Sequence, residues 1–337
     1  MREPISKKQG CKLYPEQNVN GRWHKNRYKI IRELGWGATG TVYLTETKEG
    51  PAALKVGRDA MSITSEVNVL KHFSKVQGDH LGPSLIDVDD VVTPSGTYPF
   101  YVMEYLKGEE VLPFLRNRGG EWTGIIGVQL LGDLDRLHRA GWTFGDLKPE
   151  NLLVTGPPLR VRWFDVGGTT KMGRSVKEYT EFFDRGYWGL GSRKAEPSYD
   201  LFSVGMIMIN SGYPSRFERS DKDNLKLLVS RAEQKPGLKP YVPIITKALG
   251  GHYRDALHMR RELAEVIGRT HFSTRQEVHP GSGKVIAPSV RKPLVNRKSY
   301  KRQVQKEKKR SSGVLETVLV ASFLLLAYVL YLFGQMM

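Results

Sequence analysis

The sequence predicts an α+β fold with two lobes, the first rich in strands and the second mainly helical. Apolar and polar residues alternate from Tyr28 to Leu34 and again after a glycine-rich turn, which is the pattern of two paired strands. Apolar repeats at helical spacing follow, from Glu121 to Ala140 and from Ser198 to Tyr213. A chain of 337 residues is long enough to bury a core in each lobe and to carry additional segments.

Shifts in composition divide the chain into four parts. We expect a basic N-terminal extension over residues 1–27, a folded domain over 28–272, a basic linker over 273–313 and a transmembrane helix over 314–337. Within the folded domain, the small lobe is expected over about residues 28–107 and the large lobe over about 108–272.

Cysteine and histidine usage excludes two kinds of structural site. The single cysteine, Cys11, cannot form an internal disulfide, which suits a reducing compartment. The histidines are scattered and no Cys/His cluster has the spacing of a zinc site. The N-terminus is polar and basic without an apolar run, so it is not a signal peptide.

The most informative segment is the run Gly145-Asp-Leu-Lys-Pro-Glu-Asn151, which is followed by Asp165-Val-Gly167. A hydroxyl that attacks the terminal phosphate of a nucleotide needs a carboxylate to orient it and to accept its proton. It also needs oxygen ligands that hold magnesium across the phosphates. Asp146 suits the first role, and Asn151 and Asp165 suit the second.

A glycine-rich turn lies upstream, between two predicted strands. Glycines let backbone N–H groups lie over phosphates without Cβ atoms in the way, although such a turn alone also occurs in ordinary hairpins. The residues expected at the nucleotide are Gly35, Trp36, Gly37, Ala38, Thr39, Gly40 and Val42.

Lys55 and Glu66 complete the predicted site. Lys55 lies in a strand-like run after the turn, and Glu66 lies in a helical pattern from Ser62 to Phe73. Taken singly, Lys55 could be a solvated strand lysine and Glu66 an exposed helix glutamate. The order of glycine turn, lysine and two acidic loops favours one shared site.

These four motifs resemble those of the eukaryotic-like (Hanks-type) protein kinases over about residues 28–272. The resemblance implies a bilobal protein-kinase-like fold, the cofactors ATP and Mg²⁺, and protein substrates phosphorylated on serine or threonine. It implies that Lys55, paired with Glu66, grips the phosphates and that adenine meets the hinge at Glu104 to Leu106. It also implies that Lys148 stabilises the transferred phosphoryl group and that Asp200 supports the catalytic loop.

The chain departs from this family at its regulatory positions. The family usually has His-Arg before the catalytic aspartate, whereas Phe144-Gly145 stands here. Gly145 cannot pair with a phosphate on the activation segment, which is expected over about residues 165–197. The Ala-Pro-Glu element of the family is not recognisable. Candidate self-phosphorylation sites in this segment are Thr169, Thr170, Ser175 and Thr180.

Two other functions remain open from the sequence. The pair Gly145-Asp146 also occurs in small-molecule phosphotransferases of the aminoglycoside-kinase kind, which usually lack the full glycine turn and Lys148. The missing arginine is compatible with a pseudokinase scaffold that tethers nucleic acid or proteins to a membrane. The complete set of phosphate, metal and base residues favours an active kinase.

The formal net charge is +17, and residues 273–312 contribute 12 Lys/Arg and two Glu to it. A flexible cationic strip of this kind is expected to contact anionic lipid head groups or to bind DNA or RNA without reading bases. The basic residues nearest the predicted span are Lys298, Lys301, Arg302, Lys306, Lys308, Lys309 and Arg310.

From Thr317 onward the chain has no charge, and counting from Val314 the apolar segment is 24 residues long. About 20 residues suffice to cross a bilayer as a helix. The basic strip predicts that the folded domain faces the cytoplasm, as a single-pass protein of the cytoplasmic membrane without an extracellular sensor domain. This layout resembles membrane-anchored kinases of spore-forming bacilli, which implies DNA as a regulator and a role in sporulation. Autophosphorylation on the hydroxyls of the activation segment and a homodimer are further expectations.

Overall fold

The computed structural model describes residues 11–37, 39–76 and 81–276, with side chains up to residue 269. In this part of the chain, a lobe of antiparallel strands with one helix precedes a lobe built mainly of helices. The predicted bilobal α+β fold is therefore confirmed. The predicted span over 314–337 and almost all of the predicted linker over 273–313 lie outside the described residues.

No helix that the structure describes between residues 11 and 276 is both long enough and apolar enough to cross a bilayer.

The small lobe is built on a six-stranded antiparallel sheet with the strand order β1-β2-β3-β4-β6-β5. Its strands are β1 (Asn18–Asn20), β2 (Arg27–Trp36), β3 (Gly40–Thr47), β4 (Gly50–Gly57), β5 (Leu85–Thr93) and β6 (Gly96–Glu104). The glycine turn joins β2 to β3, as the alternation of the sequence predicts.

Helix α1 (Ala60–Phe73) connects β4 to β5 and begins two residues before the predicted start at Ser62. The Asp59 side chain accepts a hydrogen bond of 2.8 Å from the Ser62 amide, which caps the otherwise unpaired first turn. The helix buries Ile63, Val67, Leu70, Phe73 and Glu66. The apolar members of this face pack into the core, and Glu66 is carried with them toward the sheet.

The lobe begins earlier than the predicted boundary at residue 28. Cys11, Leu13 and Val19 are buried in one cluster with Tyr28 and Ile30. The Leu13 amide donates a hydrogen bond of 3.1 Å to the Tyr43 hydroxyl, and β1 pairs with β2. Because these apolar residues are separated by polar and basic ones, they give no periodic signal in the sequence.

The large lobe begins after β6 and contains short strands between its helices. Its strands are β7 (Glu109–Glu110), β8 (Trp142–Thr143), β9 (Leu152–Thr155), β10 (Arg160–Trp163) and β11 (Thr170–Lys171). Its helices are α2 (Val111–Arg118), α3 (Gly120–Arg139), α4 (Pro197–Ser211), α5 (Asn224–Glu233), α6 (Val242–Leu249) and α7 (Ala256–Gln276).

Two small sheets in the large lobe place the predicted catalytic residues. Strands β9 and β10 form an antiparallel hairpin, with Asn151 directly before β9 and Asp165 two residues after β10. Strands β8 and β11 pair through Thr143 and Thr170. This pairing brings the start of the loop that carries Asp146 beside the end of the loop that carries Asp165. Helix α4 is buried along almost its whole length, and its Asp200 accepts hydrogen bonds from the loop that carries Asp146.

We predict that Leu13→Ala lowers the free energy of unfolding by about 2–4 kcal/mol, because it removes a side chain that is buried in the core of the small lobe. The neighbouring substitution Tyr14→Ala serves as the control, since Tyr14 is 59 % exposed, and we expect it to change stability by less than about 0.5 kcal/mol. Denaturant unfolding of both variants measures this. Equal stability of the two variants would show that residues 11–20 do not belong to the folded lobe.

Candidate active site

Lys55 and Glu66 form a buried ion pair between the sheet and α1. The Lys55 Nζ donates hydrogen bonds of 2.8 and 2.7 Å to the two carboxylate oxygens of Glu66. Both residues are almost fully buried, at 5 % and 3 % exposure. A charge in such a place requires a partner, so this pair sets the position of α1 relative to β4. The structure thus brings together the two residues that the sequence analysis paired.

Tyr101 is a third member of this group, and the sequence analysis missed it. It lies beside Lys55 in the β4–β6 register, and its hydroxyl donates a hydrogen bond of 2.7 Å to Glu66 Oε2. Burial, together with the Glu66 carboxylate, raises the pKa of Tyr101 well above its usual range, so the phenol stays a neutral donor. Only the pairing of two strands distant in the chain reveals this contact.

Asp200 anchors the catalytic loop from α4. Its side chain is fully buried and accepts hydrogen bonds of 2.8 Å from the Phe144 amide and 2.9 Å from the Gly145 amide. His138 Nε2 lies 2.9 Å from the same carboxylate. The structural role predicted for Asp200 is therefore confirmed, and His138 is an additional support that the sequence analysis did not identify.

The catalytic loop directs Asp146 and Lys148 toward one point. Their side chains form an ion pair, and the hydroxyl of Thr180 lies between them. Thr180 Oγ1 donates to Asp146 Oδ1 over 3.1 Å and accepts from Lys148 Nζ over 3.0 Å. An acid, a cation and a hydroxyl therefore meet within hydrogen-bond distance, which is the arrangement that proton removal from an alcohol requires.

Asn151 and Asp165 leave oxygen atoms available for a metal ion. The Asn151 side-chain amide donates 2.9 Å to the Asp146 carbonyl, so its own oxygen remains an acceptor. Asp165 Oδ1 accepts a hydrogen bond of 2.9 Å from the Gly167 amide. The Phe164 amide donates a hydrogen bond of 3.1 Å to the Asn151 backbone carbonyl, which ties the two loops together. Carboxylate and amide oxygens are the ligands that Mg²⁺ prefers, so these two residues fit the predicted metal site.

The glycine turn has the expected hairpin geometry. Gly35 and Trp36 pair with Val42 and Thr41, and the Gly37 amide donates 2.9 Å to the Gly40 carbonyl. The Trp36 side chain is 77 % exposed. Of the predicted residues of the turn, Ala38 lies outside the described residues. The contact of this turn with nucleotide phosphates stays a prediction.

The hinge residue Glu104 joins the two lobes through its side chain. Its carboxylate forms an ion pair with Arg162 of β10, and the Arg162 guanidinium also donates 2.8 Å to the Gly82 carbonyl. The backbone amide of Glu104 donates a hydrogen bond of 2.8 Å to the Ser84 carbonyl. The side chain and the amide of Glu104 are therefore already occupied, and Leu106 is buried at the same hinge. The predicted adenine contact of these residues remains a prediction.

The activation segment lies directly on Gly145. Gly145 has a φ of +83°, and a Cβ atom there would stand 2.6 Å from the Gly168 carbonyl oxygen and 3.3 Å from a Val176 methyl group. Val176, Ala195 and Tyr199 form a small apolar cluster at this place. The Val176 amide also donates 2.9 Å to the Arg193 carbonyl. Where the family usually has an arginine, this chain packs apolar side chains.

Charged residues of the segment itself complete its attachment to the large lobe. The buried Asp184 binds Arg193 and accepts a hydrogen bond of 2.9 Å from the Tyr199 hydroxyl. Arg185 forms an ion pair with Glu196. These contacts join residues of the segment to one another and to Tyr199 at the start of α4.

The predicted phosphorylation sites divide into three kinds. Thr169 and Thr170 are fully buried, so their hydroxyls are not accessible to another active site, and the prediction is corrected for both. Thr180 is engaged with Asp146 and Lys148. Ser175 is exposed, and its phosphorylation stays a prediction. The seven predicted polyanion-binding residues between 298 and 310 lie outside the described residues.

Comparison with known proteins identifies the family to which the chain belongs. The family described as the protein kinase domain matches residues 28–235, which is more than half of the chain. The chain therefore belongs to the protein kinase family, and the small-molecule phosphotransferase alternative loses its support.

The similarity to one relative extends over almost the whole chain. The serine/threonine-protein kinase YabT of Bacillus subtilis (strain 168) is 45 % identical over 327 residues, covering 96 % of each chain. Protein kinase dsk1 of Schizosaccharomyces pombe is 36 % identical over 40 % of this chain and 28 % of its own length. The chain is thus an ATP-dependent serine/threonine protein kinase similar to YabT, and the resemblance to kinases of spore-forming bacilli is confirmed.

We predict that Gly145→Ala reduces kinase activity by at least about tenfold, because its Cβ would meet the Gly168 carbonyl and separate the two loops. Gly141→Ala is a matched control. Gly141 has the same φ of +83°, but nothing lies within 4 Å of a Cβ placed there. We expect only the cost of the left-handed backbone, about 1–2 kcal/mol of stability, from the control. Activity assays and thermal unfolding of both variants measure this. Equal losses of activity would show that the close approach at Gly145 is unimportant.

Proposed function

We propose that this kinase transfers the γ-phosphate of ATP by direct in-line attack of a protein serine or threonine hydroxyl. The observation that carries the proposal is the position of the Thr180 hydroxyl, 3.1 Å from Asp146 and 3.0 Å from Lys148. A threonine hydroxyl at this place has the geometry that a general base needs toward its substrate. Asp146 therefore orients the acceptor hydroxyl and takes its proton.

The remaining residues act on the phosphates. Lys55, held by Glu66, binds them from the small lobe, and Lys148 neutralises charge that develops on the transferred group. Asn151 and Asp165 would hold Mg²⁺, which supplies positive charge across the phosphates when bound. The transfer needs no covalent enzyme intermediate, because positioning and electrostatic stabilisation suffice.

A groove beside Thr180 supports a polypeptide as the acceptor. It has a volume of about 440 Å³ and is lined by both aromatic and charged side chains. Its lining residues are Thr180, Glu181, Phe182, Tyr187, Arg216, Phe217 and Glu218. We propose that the residues next to the acceptor hydroxyl lie here. Autophosphorylation belongs to the same proposal, with the exposed Ser175 as the candidate acceptor.

We expect purified wild-type protein to incorporate label from [γ-³²P]ATP into itself and into a protein substrate. Lys55→Ala should lower the rate by at least about a hundredfold, because it removes the phosphate contact and leaves Glu66 buried without its partner. Asp146→Ala should do the same, because it removes the base. Chelation of Mg²⁺ should abolish transfer in the wild type. Equal incorporation by all three proteins would contradict the proposal, and no incorporation by the wild type would favour a pseudokinase.

We further propose that residues 314–337 anchor the kinase in the cytoplasmic membrane and that the basic strip binds DNA. The support is the sequence, in which an uncharged apolar run from Thr317 follows a strip with a net charge of +10 over residues 273–312. Cations along a flexible segment release counterions from a duplex, which gives tight and salt-sensitive binding without sequence preference. Binding of several copies to one duplex would bring catalytic domains together, and a homodimer is part of this proposal.

The DNA proposal is tested on the full chain in nanodiscs of zwitterionic lipid. A variant with the seven basic residues between 298 and 310 changed to glutamine should bind duplex DNA more weakly. The slope of log affinity against log salt should fall by about 0.9 for each lost phosphate contact. Kinase activity should respond to DNA in the wild type and not in the variant. An unchanged affinity and slope would remove the proposal, and a defect only with anionic lipid would assign the strip to the membrane surface.

A further inference from the structure

The activation segment crosses the mouth of the catalytic cleft between two attached residues. On one side, Lys177 Nζ donates 3.1 Å to the Ser65 hydroxyl of α1. On the other side, Thr180 is bound to Asp146 and Lys148. Glu178 lies between these attachments, so the backbone holds it over the gap between α1 and the catalytic loop.

The Glu178 carboxylate lies close to Gly167, in the loop that carries Asp165. Its Oε2 lies 3.6 Å from the position that a Cβ atom on Gly167 would occupy. Asp165 Oδ1 lies 3.3 Å and Glu66 Oε1 3.5 Å from the same position. Three carboxylates from α1, the metal-binding loop and the activation segment therefore surround a single glycine.

No hydrogen bond or ion pair in the described part of the chain neutralises this carboxylate, although the Lys55 ammonium attracts it from beyond ion-pair distance. The Lys55 ammonium is shared by both oxygens of Glu66, and Lys148 is paired with Asp146. Within the described residues, Glu178 itself has no hydrogen bond or ion pair. Glu178 is partly open to solvent, yet desolvation of its carboxylate raises its pKa. The nearby Asp165, Asp146 and Glu66 raise this pKa further, and Lys55 lowers it.

We propose that Glu178 is a displaceable competitor of the nucleotide. Its carboxylate lies beside Gly167 in the loop that carries Asp165, on the path by which the triphosphate would reach Lys55, so nucleotide binding requires it to move aside. This inference rests on the proposed binding of ATP at Lys55 and Asp165. The contact of Lys177 with Ser65, which ties this stretch to α1, is exposed and therefore opposes displacement of Glu178 only weakly. Glu178 thereby raises the ATP concentration that the kinase needs without taking part in the transfer.

The test is equilibrium binding of ATP to the full chain, measured with and without Mg²⁺, for the wild type, Glu178→Gln and Glu178→Ala. We expect both variants to bind metal-free ATP about tenfold more tightly and MgATP about threefold more tightly, because the metal offsets part of the repulsion. The KM for ATP should fall with the affinity, while kcat stays within about twofold. The differences should shrink at high ionic strength.

Glu233→Gln is the matched control, because it removes the same charge from an exposed position at the end of α5. Unchanged affinity in the Glu178 variants would overturn the inference. Weaker MgATP binding with unchanged metal-free binding would also overturn it, because Glu178 would then be a metal ligand. If the wild type bound no ATP at all, the proposed function itself would fail, which distinguishes the two failures.

Discussion

The buried pair of Lys55 and Glu66 is the interaction on which the catalytic cleft depends. Neither charge is stable in the interior alone, so β4 and α1 are constrained to one relative position. Tyr101 donates to Glu66 from the neighbouring strand and reinforces this position. A hydrogen bond from Lys177 to Ser65 then links α1 to the activation segment, so the position of the helix affects the position of the segment. The ion pair in the small lobe is thus linked, through α1, to the activation segment on the substrate side of the cleft.

The large lobe has an equivalent constraint in Asp200. Its buried carboxylate accepts the amides of Phe144 and Gly145, which shapes the loop that carries Asp146. Kinases with an arginine at the position of Gly145 can use a phosphate to order the activation segment. In this chain Val176 lies over Gly145, and Asp184 binds Arg193, so packing and internal ion pairs take over that task.

The order of elements and most of the site were predictable because the signals are local. The helix from Glu121 to Ala140 and the hairpin around Asn151 and Asp165 follow directly from apolar spacing. The contribution of residues 11–20 to the small lobe was not predictable, because isolated apolar residues carry no period. The burial of Thr169 and Thr170 was also hidden, since it depends on the pairing of β11 with β8. The candidate hydroxyls in this segment look alike in sequence and differ only in their packing.

The sequence by itself determined the bilobal α+β class and selected Asp146, Lys148, Asn151 and Asp165 as the candidate site residues, because short motifs specify both residue type and spacing. Only the tertiary structure decided which groups surround them. Glu178 and Tyr101 enter the cleft from segments whose sequences contain no motif, and Thr180 proves to be a partner of the catalytic base. The reason is physical: electrostatic interactions depend on distance in space, and residues far apart in the chain come close only when the lobes fold.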